Sequence, residues 1–584
     1  MSISSLSYWK QLWRWTTSES LTKEELASVL GNKEVIDGLK LGLASYKPHK
    51  AENYAQLQSK HPDQTKLLAV VQTLQNYIDV DCFQIWEIIK NYLCDISYGT
   101  PANALKNIAF VDTRPTFLLP SIWAFYYSER LFLLKLLQYI VQFKDDSNHK
   151  YQQQFAKIIK DIGISALKTS LLSQFEKLLN AAPPPRRIQN DFSNENVRQE
   201  WAECNLREQL AILQILILIA EEDCFSDAEF KKLFLLFRKH SFGKSQGYNE
   251  LLEEQHREPC LRIMYMEVGL FMVIVDDMKI TNLSSWIDCT KEVVEGELTK
   301  LHMNEEHSAL LITWMMLALQ SDKHAKLFES QYQHYGATAL RLQVFEFMQK
   351  MIDSSVFSDE SKCSQIARRR VFALLNRLCD KFDGDGTLSQ QPGVMQLCAQ
   401  LLSSPEAACH FWRLHQMDQD YGVVSLWNTA LEYFPYNFSA LSVLAAGLAK
   451  GGECSVRNLI AELKNLPVYT EIYNPNAVPV MSLQGDDAVI GREYHPLGDP
   501  SYRIEVGSKA TIMERKDATM IHFRTPYSYW TIFNSEIEKA LDRKHHQSNV
   551  TFTLQRVFEG TKVLNGGDGG NLPRKRLYTT PFGQ

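Results

Sequence analysis

No apolar run in the 584-residue sequence is long enough to cross a bilayer. The longest, Leu210 to Ala220 (LAILQILILIA), falls well short of the roughly 20 residues a spanning helix needs. The N-terminal stretch MSISSLSYWKQLWRW places Trp and charge where a signal peptide would carry a continuous apolar core. The eleven cysteines, an odd number running from Cys82 to Cys454, include no C-x-x-C pair. This excludes a disulfide framework and suits reduced thiols in cytosol or nucleus. Charge is nearly balanced, with 62 Lys and Arg against 68 Asp and Glu, so no global field draws nucleic acid. Phe-Gly dipeptides are almost absent: Phe242-Gly243 and Phe582-Gly583 are the two. A disordered Phe-Gly repeat protein is thereby excluded, as is wholesale disorder at 45% hydrophobic residues.

What is present is helical period. Over Asp79 to Cys94, Val80, Phe83, Ile85, Trp86, Ile88, Ile89, Tyr92 and Leu93 share one sector. Phe117 to Phe143 continues with Trp123, Phe125, Tyr126, Leu131, Leu134, Leu137, Ile140 and Val141. Thr100-Pro101, Thr113 to Pro115, Pro183 to Pro185, Ser404-Pro405 and Phe434-Pro435 punctuate the pattern. Ser193 with Asn194 and Glu195 reads as the capped start of a helix running to about Glu222. Only Asn180 to Ser193, with its proline triplet, reads as a linker. The expected fold is therefore all-α over 1–480, an irregular right-handed α-solenoid of stacked helix pairs.

Near residue 475 the composition turns to Pro and Gly, from Asn474-Pro475 to Gly507. Short β-type runs follow at Ala488 to Ile490, Tyr502 to Val506, Ala510 to Met513, Thr519 to Phe523 and Tyr529 to Phe533. Met520, His522 and Arg524 alternate with Ile521 and Phe523, the period of a half-buried strand. Together they predict a small SH3-like β-barrel inserted over 485–533. Helices resume over 534–564, and 565–584, opening on NGGDGGN, reads as a disordered tail.

Chemical motifs are few, and each has a bland reading beside the sharp one. Gly243-Lys244-Ser245-Gln246-Gly247 matches G-x-S-x-G, but a nucleophile elbow needs a strand before the serine. As the end of a phosphate loop it lacks the first glycine, because Arg238 stands there. A helix-capping turn accounts for the same residues. Asp383-Gly384-Asp385-Gly386-Thr387 suggests a calcium loop, yet Leu388 and Val394 occupy the required glycine and glutamate positions. Cys398, Cys409, His410 and His415 offer zinc-type atoms at spacings that do not share a helix face. His545-His546 fares no better. Glu221-Glu222-Asp223, Glu253-Glu254 and Asp276-Asp277 read as solvated helix ends. Arg515, Lys516 and Arg524 are too few for a nucleic-acid surface, and Pro573 to Arg576 resembles a short basic import signal. The residues thus name no catalytic, cofactor-binding or metal site, and no partner-binding surface.

Several stretches carry a resemblance. They are Leu43 to Pro48 (LASYKP), Trp123 to Leu134 (WAFYYSERLFLL), Asn205 to Gln209 (NLREQ), Phe237 to Ser245 (FRKHSFGKS) and Gly336 to Phe347 (GATALRLQVFEF). Lys464 to Tyr473 and Tyr494 to Leu541 (YHPLGDPSYRIEVG, then YSYWTIFNSEIEKAL) complete the series in order. The sequence resembles the N-terminal region of the nucleoporin-188 family, large scaffold proteins of the nuclear pore inner ring. The resemblance implies an α-solenoid with an SH3-like insertion, no enzymatic activity and no cofactor. It also implies residence at the nuclear pore complex of the nuclear envelope and a part in moving protein and RNA. Implied partners are other nucleoporins, among them nucleoporin 93 and the channel Phe-Gly nucleoporins, and Phe-Gly repeats or transport receptors. Nucleoporin-93 binding is expected in a part of the family's longer chain that this sequence lacks. The competing readings are a soluble karyopherin-like receptor or helical-repeat adaptor and, more remotely, a hydrolase using Ser245.

Overall fold

The computed structural model describes residues 8–96, 118–275, 280–300, 303–382, 387–417, 420–484, 486–496, 502–514 and 518–534. The Asp383 to Gly386 loop, Asp276-Asp277, Arg515, Lys516, His545-His546, the resumed helices beyond 534 and the 565–584 tail lie outside them. The described residues are mostly helical, with one small antiparallel sheet late in the chain. They divide into two compact units, Met1–Gln333 with Met351–Ala367 and His334–Lys350 with Arg368–Gln584.

In the first unit the long helices pack in sequence. Trp9–Thr17 packs on Leu119–Phe143, which packs on Val197–Ala220, then Arg257–Ile274, then Glu305–Gln320. A second row holds Asp227–Lys239 against Leu283–Leu298. Helices within the first row are apolar on more than one side because they have neighbours on more than one side. Residues 306–318 of Glu305–Gln320 are all buried. Helix starts are chemically marked: Thr22 with Glu25 and Ser226 with Glu229 form reciprocal capping boxes. The expected cap at Ser193 is different. Ser193 is left-handed (φ 49°) and ends the short helix Arg187–Phe192, while Asn196 precedes the long helix. The segment read as a linker is packed, because Ile188 and Phe192 are buried and the Phe192 ring meets Trp123 edge-on at 5.5 Å.

In the second unit Val394–Leu402 packs on Phe438–Leu448 and Pro405–Gln416 on Glu453–Leu463. The first pair approaches so closely that a Cβ on Gly447 would lie 2.2 Å from the Ala399 carbonyl. The sheet comprises β1 (Tyr469–Ile472), β2 (Val480–Gln484), β3 (Asp487–Ile490), β4 (Lys509–Glu514) and β5 (Thr519–Phe523). Its order is β1-β5-β4-β3-β2, antiparallel throughout.

Three of the five expected strands are present, as β3, β4 and β5. Tyr502 to Val506 reduces to one bridge, Ile504 with Tyr494, before the chain turns at Gly507 (φ +85°). Tyr529 to Phe533 is helical, not extended. Tyr529, Ile532 and Phe533 are buried at helical spacing, and the Tyr529 and Phe533 rings stack on Phe438 at 6.2 and 6.5 Å. Strands β1 and β2 arise instead from residues before 485. β5 lies inside the sheet, and Met520, Ile521, His522 and Phe523 are all buried, so it is covered on both faces rather than half-buried.

Candidate functional site

The residues singled out in the sequence do not converge. Gly243 to Gly247 follows the helix Asp227–Lys239 directly, through Ser241 and Phe242 in left-handed conformation. A Cβ on Gly243 (φ +77°) would sit 2.7 Å from Ile263 and 2.8 Å from the Met264 amide, so the glycine serves close packing. Ser245 Oγ accepts from Asn249 Nδ2 at 3.3 Å, and a helix rather than a strand precedes it. Lys244 Nζ pairs with Glu306 at 2.7 Å instead of lining a phosphate loop. Cys398 is buried within Val394–Leu402 while Cys409 is exposed. His410 meets the Phe372 ring edge-on, and His415 stacks on Phe411 with its Nε2 3.4 Å from Glu462. Among the described residues no group of three or more His, Cys, Asp or Glu side chains could hold a metal ion.

The acidic triplet expected as a solvated helix end is a clamp. Glu222 pairs with Lys144 at 2.7 Å and Asp223 with Lys168 at 2.9 Å, and both lysines are buried. Lys168 Nζ also donates to the Cys224 carbonyl at 2.7 Å. Two helices thus fix one turn, which needs the lysine stems packed in apolar surroundings and their heads paired.

Among the described residues four glutamates are buried, and they went unread in the sequence. Glu208, 1% exposed, accepts a bidentate pair from Arg130 at 2.7 and 2.7 Å. Arg130 is flanked by the rings of Tyr46, Tyr126 and Tyr127, between 5.3 and 6.0 Å away. Glu129 reaches back to the start of Trp9–Thr17, accepting from the Trp9 amide at 2.7 Å and the Lys10 amide at 3.2 Å. Burial pushes its carboxyl up to about 8, against the pull of those two amides. Glu306 pairs with Lys244 as above. Glu267 is fully buried, neither carboxylate oxygen has a hydrogen-bond partner among the described residues, and burial holds its carboxyl well above the usual range. A legible signal existed for it: Ile263, Met264, Leu270 and Phe271 stand at −4, −3, +3 and +4, all buried.

Apart from Glu267, these polar groups bind one another and the backbone and so join helices. The architecture is that of a helical packing protein whose internal charges fasten its elements together. The family described as "Nucleoporin Nup188, N-terminal" matches residues 32–479, more than half of the sequence, and the chain belongs to that family. "Nucleoporin Nup188" of Drosophila melanogaster is 28% identical over 573 residues, covering 96% of this chain and 30% of the relative. "Nucleoporin NUP188" of Xenopus tropicalis is 25% identical (86% and 30%) and that of Homo sapiens 21% identical (86% and 29%). The chain therefore spans about 30% of the length of the curated relatives it matches. Among the described residues no helix is long and apolar enough to cross a membrane.

Proposed function

We propose that the chain is a non-enzymatic scaffold segment of the nuclear pore complex, resident at the nuclear envelope and supporting transport of protein and RNA. The observation that carries the reading is the family match over 32–479, in a fold where buried ion pairs tie helices together. The packing of each long helix on the next in the first unit, with a second row beside it, supports an α-solenoid of stacked pairs over that unit. Five short antiparallel strands with the interior strand β5 covered on both faces support an SH3-like sheet module in the second. Partners are then other nucleoporins, with the channel Phe-Gly nucleoporins as the family resemblance implies. They dock as helices or extended segments on helix faces. Photobleaching of the fluorescently tagged chain tests the proposal. Rim fluorescence that stays bleached fits a scaffold, whereas recovery as fast as that of a transport receptor sinks it.

A further inference from the structure

Met481 is the most exposed large apolar side chain among the described residues, 67% open to solvent, and Val506 is 60% open. Both border Gly491. A Cβ built there would lie 2.8 Å from the Met481 Cβ, and the Gly507 amide donates to the adjoining Ile490 carbonyl. Met481 belongs to β2, which ends the sheet and pairs only with β3. The register slips between Val480 and Ser482, and a bulge of this kind re-aims a side chain.

The two ends of the sheet are treated differently. β1 is covered, because Pro435 bridges Thr470, the Tyr436 amide donates to the Thr470 carbonyl and the Thr470 amide to that of Phe434. No segment among the described residues pairs with the outer side of β2. Val480–Gln484 also carries no charge and no proline, the usual guards of an edge strand.

Charge marks the occupant. Arg492 is exposed beside the Val480 end, where the Gly491 amide donates to the Pro479 carbonyl. Asp486 and Asp487 are exposed at the Gln484 end. Glu493 is engaged by His495 at 3.1 Å, while Arg492 and Asp486 make no ion pair among the described residues. An antiparallel apposition of two such strands sets the basic end of each against the acidic end of the other. A parallel apposition would set like against like. We propose that β2 pairs with β2 of a second copy of this chain about a two-fold axis, continuing the sheet and covering Met481 in both copies. Two reciprocal contacts of Arg492 with Asp486 and Asp487 fix the register.

Sedimentation velocity of the full 584-residue chain between about 1 and 100 µM tests it, with circular dichroism confirming that each variant folds. The expected result is a concentration-dependent dimer, weakened roughly tenfold by Arg492→Asp and by Met481→Lys. Combining Arg492→Asp with Asp486→Arg restores the dimer, because the charges exchange sides. A monomer throughout, a dimer indifferent to these variants, or a double variant no tighter than Arg492→Asp overturns the proposal. Binding of an unrelated extended peptide to β2 by a chain that stays monomeric overturns it as well. Should Met481→Lys disturb the strand, the charge exchange on exposed turn residues decides alone.

Discussion

The first unit buries charged groups beside its neutral ones, and ion pairs join them across long stretches of sequence: Arg130 to Glu208, Lys168 to Asp223, Lys244 to Glu306. In the second the buried polar groups are mostly neutral. The Tyr529 hydroxyl meets Ser442 Oγ at 3.0 Å, Trp412 Nε1 donates to Ser455 Oγ at 2.8 Å, and Thr470 Oγ1 lies 2.8 Å from His522 Nδ1. The difference lies in the side chains that meet: the first unit's ties pair long Arg and Lys side chains with carboxylates, whereas the second unit's use short hydroxyls against Tyr, Trp and His. A charged tie is worth little net over an apolar replacement but is costly to break on one side, and a hydroxyl tie is modest either way.

Breaking the charged tie should give the largest effect. Arg130→Ala leaves Glu208 buried without its partner and should cost about 3–5 kcal/mol, read from the urea midpoint of the first transition. A loss no larger than that of an exposed pair would erase the contrast between the units. Next comes Glu267→Met, which removes a carboxyl that has no partner among the described residues and should stabilise by about 1–3 kcal/mol at pH 8. The sign is set by the raised carboxyl: in the folded state it binds its proton more tightly than in the unfolded chain. Its favourable linkage is full below the ordinary glutamate value and is lost as pH rises toward the folded value, so the variant's advantage should grow from pH 5 to pH 8. An advantage that shrinks over that range would show that Glu267 has a partner when ionised. In the second unit, Tyr529→Phe should cost about 0.5–1.5 kcal/mol, with the same value in low and high salt. Smallest is Arg262→Ala, on the same helix as Glu267, where the exposed pair with Glu258 four residues away is worth about 0.3–0.5 kcal/mol and fades with salt.

Helices were the legible part of the fold. Phe117 to Phe143 becomes Leu119–Phe143 and Asp79 to Cys94 becomes Cys82–Ile96, because a stripe of apolar residues at three-four spacing has one good burial geometry. Strand β1 escaped because four residues, Tyr469 to Ile472, are too few to show a period after a long helical run. Tyr529 to Phe533 misled for the opposite reason: Tyr, Trp and Phe favour strands by composition, yet Tyr529, Ile532 and Phe533 pack as one helical turn against Phe438. The buried carboxylates were hidden for a further reason. Glu208 and Glu306 look like ordinary helix-surface residues until their partners, 78 and 62 residues away, are in place. Only Glu267, set inside an apolar stripe, announced itself locally.

The contact between Glu129 and the start of Trp9–Thr17 bears on the order in which the chain can assemble. The first helix has no capping side chain of its own at Tyr8, and the carboxylate that accepts from its Trp9 amide lies 120 residues downstream. At a ribosomal rate of roughly 5–20 residues per second, those 120 residues take about 6–24 seconds to appear. Through that interval the segment that becomes Trp9–Thr17, too short to be a stable helix alone, has no Glu129 to accept from its first amides. Its docking therefore follows synthesis of Glu129 and closes a long loop.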